Sequence, residues 1–141
     1  MENADVRRRV RQAIAEAKRR ASDRRRRLDD ASRAWDAARP RMVIPLARQL
    51  AQALTAEGIR LQVSTPSDRV LIASEHRPEE RVELALEAGD DDAVLIARVY
   101  RSREGVVEER ALARSAGGIE ELTEERLLDA LLAALEPWMA R

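Results

Sequence analysis

The chain has no cysteine and no phenylalanine, a single histidine, and three aromatic residues in 141: Trp35, Trp138 and Tyr100. Without cysteine there is no disulfide, no thiolate metal ligand and no cysteine nucleophile. That absence also fits a reducing compartment, and the expected location is cytoplasmic. Without phenylalanine, a core has to be made from Leu, Val, Ile and Ala fitted closely together. No apolar run approaches the roughly 18 residues needed to span a bilayer, so no membrane partner is expected. The charged N-terminal residues are not followed by an apolar stretch, which argues against a secretory leader. His76, in a Glu-His-Arg-Pro stretch, lacks suitably spaced partners for a metal site or a histidine-based triad. It reads as an exposed loop residue.

Charge is plentiful and unevenly placed. The 26 basic and 26 acidic residues cancel over the whole chain. Residues 1–41 nevertheless carry 14 Lys/Arg against 7 Asp/Glu, and residues 42–141 carry 12 against 19. A split of this kind points to an electrostatic partner for the first segment: nucleic acid, an acidic protein or the chain's own acidic part.

Asn3 to Arg39 contains neither Gly nor Pro and is rich in Ala and Arg, which predicts one long helix. Asn3 is its expected cap and Pro40 its expected stop. Val10, Ile14, Ala17, Ala21, Leu28, Ala31, Trp35, Ala38 and Met42 fall on a heptad-like seam, with Arg24 occupying one seam position. At about 1.5 Å per residue the helix is roughly 54 Å long, too long for a domain of about 100 residues to cover. The organisation expected is therefore an arginine-rich helix over 1–40, as an extension or coiled-coil-like element, and a globular domain over 41–141.

A second helix is predicted from about Met42 to Glu57, with Gly58 as its stop. Alternation of apolar and polar residues then marks strands from Ile59, over Arg69–Ser74, and through Val82, Leu84 and Leu86. Ala93–Arg101 is apolar on both faces, as a central strand would be, and Val106–Ala113 follows a further turn. Connections this short favour an antiparallel meander of about five strands. After a Gly117-Gly118 loop, Thr123 is placed to cap a last helix, with Leu122 and Leu127 as a hydrophobic staple. The stripe Leu127, Leu128, Leu131, Leu132 and Leu135 should cover one sheet face. The expected fold class is α+β.

No pattern of residues points to catalysis, a metal or a cofactor, so a non-enzymatic interaction or assembly module is expected. Its association seam would be Val10, Ile14, Leu28 and Trp35, with a homodimer or another protein as partner. Four consecutive arginines, Arg24, Arg25, Arg26 and Arg27, point around most of a helix and cannot be buried in an apolar seam. Together with Arg19 and Arg20 they form the candidate anion-binding set, since guanidinium matches phosphate geometry. The competing reading is a solvated face neutralised by Glu16–Arg20, Asp23–Arg27, Arg25–Asp29 and Arg26–Asp30, pairs worth about 0.2–0.5 kcal/mol each. With no aromatic residue among the arginines, stacking on single-stranded bases is not expected. Asp90-Asp91-Asp92 lacks the alternate spacing of a calcium loop and reads as a hairpin turn. Arg98, Arg101 and Arg103 read as a basic hairpin tip near Tyr100. A small-molecule site between sheet and helices has no residue evidence.

Overall fold

In the computed structural model, which describes residues 1–102 and 104–140, the chain is α+β. Helix α1 spans Asn3–Ala38 and α2 spans Ile44–Ala56. Five strands follow: β1 Leu61–Ser64, β2 Val70–Ser74, β3 Arg81–Ala88, β4 Ala93–Arg101 and β5 Gly105–Arg114. They pair in sequence order, each antiparallel to the next. A short α3, Ser115–Glu120, and α4, Glu124–Met139, close the fold.

Helix α1 ends at Ala38, just before Pro40, but the chain does not leave the helical path there. A π-helical turn over Arg39–Val43 carries the chain from α1 into α2. Proline has no N–H for the carbonyl four residues back, and its ring crowds that carbonyl. The wider turn shifts the bonding by one residue, so the Ile44 N–H reaches the Arg39 carbonyl. Pro45 then lies in the first turn of α2, where its missing donor costs little. At the other end Asn3 is already helical. Glu2 holds the cap position, with no side-chain cap bond.

Helix α2 ends as its sequence predicts. Gly58 adopts φ +93, the Gly58 N–H bonds to the Thr55 carbonyl and the Ile59 N–H to that of Leu54. This is the Schellman pattern; Leu54 and Ile59 both pack partly buried against the core, and β1 begins at Leu61 rather than Ile59. Gly117 and Gly118 belong to a helix rather than a loop. The full burial of Ile119 in the core outweighs the poor helix propensity of the two glycines. Thr123 caps α4, its hydroxyl accepting from the Arg126 N–H at 3.2 Å. Leu122 and Leu127 are both buried beside it.

The core lies on one face of the sheet. Leu95, Ala97 and Val99 of β4 alternate with half-buried residues, and Leu84 and Val82 of β3 stand opposite Ala97 and Val99. Ala31, Ala34, Trp35 and Ala38 of α1 join the same cluster, with Met42, Val43, Leu50, Leu131 and Leu135. The division at residue 40 therefore falls inside one continuous core. Trp35 is 1% exposed and its indole N–H donates to the Asp68 carbonyl at 2.7 Å.

Two measurements follow from this packing. Trp35→Ala should lower unfolding stability by about 3–5 kcal/mol in urea denaturation. Residues 28–141 should unfold cooperatively whereas residues 41–141 should not; a sharp transition in the shorter piece would show that α1 adds nothing essential to the core.

Candidate interaction surface

The first helix has two environments along one face. Leu28 packs partly buried against the core, and the positions after it on the seam, Ala31, Trp35 and Ala38, are buried. Before it, Val6 is 43% exposed and Val10 and Ile14 are each 50% exposed. Trp35 is thus taken up by its own chain and is unavailable as an association residue, and Leu28 is largely so. Val10 and Ile14 remain open, and Val6, one turn earlier, extends them. The sequence reading missed Val6 because strict heptad spacing places it beside the seam; an i, i+4 reading from Val10 finds it.

Two groups of polar contacts fix how α1 meets the sheet. Arg24 donates from Nε to the Asp90 carbonyl and from Nη2 to the Gly89 carbonyl, both at 2.9 Å. One turn on, Arg27 Nε donates to the Asp91 carbonyl at 2.8 Å. These carbonyls belong to the β3–β4 turn. Trp35 and Arg39 both donate to the Asp68 carbonyl in the β1–β2 turn, at 2.7 and 3.1 Å, and the Arg39 guanidinium lies 5.8 Å from the Trp35 ring centroid. In an antiparallel meander these two turns lie at the same end of the sheet. Helix α1 is therefore fastened across that end, and Arg24 marks where its apolar seam leaves the sheet.

This placement divides the candidate anion-binding arginines. Arg24 and Arg27 are committed to backbone carbonyls of the chain's own turn. Arg26 pairs with Asp23 at 2.5 Å. Arg19, Arg20 and Arg25 make no ion pair among the described residues. The expected pairs at i, i+4 do not form. Asp5–Arg8, Asp23–Arg26 and Asp36–Arg39 pair at i, i+3 instead, a neighbouring position on the same helix surface.

Two further groups of charges pair on the sheet. Arg98 sits within β4, not at a hairpin tip, and reaches Glu87 on β3 and Glu109 on β5, the latter at 2.9 Å. Hydrogen bonding to Arg98 holds the Glu87 carboxyl below its ordinary value of 4.5, and the two carboxylates raise the Arg98 guanidinium further. Glu83, almost fully buried, pairs with Arg69 at 3.2 Å and Arg81 at 3.9 Å, and Arg81 stacks 3.9 Å over the Tyr100 ring. Arg103 lies outside the described residues. His76 and Asp90–Asp91 are exposed, and no group of three His, Cys, Asp or Glu among the described residues is arranged to hold a metal.

One groove, about 380 Å³ and open to solvent, runs between α2 and the edge strand β1, with Arg48, Gln52, Thr55 and Glu75 among its polar lining. The Thr55 hydroxyl there is already bonded to both the N–H and the carbonyl of Leu61. No helix of the described residues is long and apolar enough to cross a membrane. Comparison with family models, curated proteins and solved structures finds no match.

Replacing Arg24 and Arg27 together by Gln should cost about 1–3 kcal/mol in urea denaturation, since these are charge-assisted bonds at the surface. Glu87 carries a separate pH signature. Its folded value is depressed, so its stabilising effect is present above the unfolded carboxylate value and fades as pH falls through the folded one. Glu87→Gln should remove a small acid-side slope of stability below about pH 4.5; an unchanged slope would show that the pair with Arg98 does not persist in solution.

Proposed function

We propose that this protein is a non-enzymatic interaction module whose docking element is the first two thirds of α1, residues 3–27. One observation carries the reading. The apolar face that the chain covers with its own core at Trp35 stays apolar, and uncovered, at Val6, Val10 and Ile14. Fully burying an aliphatic side chain of this size is worth about 1.5–3 kcal/mol. These three are about half exposed, so a partner covering them recovers roughly half of that at each. Ala17 and Ala21 lie on the same face, and their small side chains let a second backbone come close. The occupant expected from the sequence is a second copy of this chain or another protein.

A second reading rests on Arg19, Arg20 and Arg25, which have no ion pair among the described residues. On that reading they bind the phosphate backbone of a nucleic acid, with strong salt dependence and no base readout.

Photo-crosslinking separates the two. With a photoreactive residue at Ile14, irradiation of cells expressing the chain should yield a discrete protein adduct that is lost when Val10 is changed to Ser. The same probe at exposed Gln62 should yield none. Adducts to nucleic acid, unaffected by the Val10 change, would support the second reading and remove the first.

A further inference from the structure

If residues 3–27 are a docking helix, the charges beside the apolar stripe determine what it docks. At about 100° per residue, Val6, Val10, Ile14, Ala17 and Ala21 fall within about 40° of one line along α1. Arg7, Arg11, Lys18 and Arg25 border that line on one side, and Arg9 and Arg20 on the other, about 60–100° away. The acids of the same segment, Asp5, Glu16 and Asp23, lie farther round, about 120–140° from the stripe. Two of them are occupied by Arg8 and Arg26. Both borders are cationic, and neither carries an acid.

In paired helices, residues bordering the seam face one another across the interface and select the partner. A second copy of this chain fails that test in either direction. Packed parallel, Arg20 of one copy meets Arg25 of the other; packed antiparallel, Arg11 meets Lys18. Like charges facing each other are a device against self-pairing. A nucleic acid would neutralise the arginines but offers nothing to cover Val10 and Ile14. A helix with an apolar seam and acidic borders satisfies both features at once, and the alanines at positions 17 and 21 allow it to lie close. Resting on the docking reading above, we infer that residues 6–25 of α1 recognise a partner helix whose apolar seam is bordered by Asp and Glu. The second copy expected from the sequence is not the occupant.

The test uses the full chain and two synthetic four-heptad peptides with the same leucine seam, one with Glu and one with Lys at every bordering position. The acidic peptide should bind at least about tenfold more tightly, and less tightly as salt is raised. Val10→Ser with Ile14→Ser should abolish that binding. Arg11→Glu, Lys18→Glu, Arg20→Glu and Arg25→Glu together should reverse the preference toward the basic peptide. All six positions are exposed, so circular dichroism should report folded variants. Equal binding of both peptides would overturn the inference. So would a wild-type dimer that ignores the acidic peptide and dissolves on the Val10 and Ile14 changes, although the docking reading would then survive. Binding to a DNA duplex that exceeds peptide binding and is blind to those two changes would overturn both.

Discussion

A helix of about 54 Å cannot be covered by a globular unit whose radius of gyration is near 13 Å, and the rest of the structure is arranged around that mismatch. One face of the last third of α1 is buried, with Trp35 held between the core and the Asp68 carbonyl. The first two thirds run past the sheet. At the crossing point an apolar side chain would have met a polar turn, and Arg24 stands there instead, bonded to the Gly89 and Asp90 carbonyls. Backbone carbonyls at a tight turn have no strand partner, so the guanidinium satisfies groups that would otherwise need water.

Most of the fold was legible because its elements follow local rules. The period-2 alternation of β1 and β3, the Gly58 stop and the Thr123 cap are each decided within a few residues. The failures have a different origin. Pro40 marks the end of α1, but the sequence does not show that a π-helical turn carries the chain straight on into α2. The two glycines read as a loop because the burial of Ile119, a tertiary effect, was invisible. Pairing of Asp23 with Arg26 instead of Arg27 follows from Arg27 being drawn to the Asp91 carbonyl, 64 residues away in sequence.

The candidate surface was legible in part for the same reason. Val10 and Ile14 stood out by spacing alone. Trp35 and Leu28 lie on the same seam, and nothing local distinguishes a seam covered by its own sheet from one left open. The arginine at seam position 24 was the available signal, since it interrupts the seam where its two halves part company. The acidic balance of residues 42–141 also found only a partial use. The β3–β4 turn meets Arg24 and Arg27 through its backbone carbonyls, not its carboxylates.

Hydrogen exchange along α1 tests the division of this helix most directly. Amides from Leu28 to Ala38 should exchange only with global unfolding, and those before Arg24 should exchange orders of magnitude faster in the isolated chain. The boundary should fall within a turn of Arg24. Uniform protection from Asn3 to Ala38 would contradict the account, because it would mean that the open face of α1 is already covered.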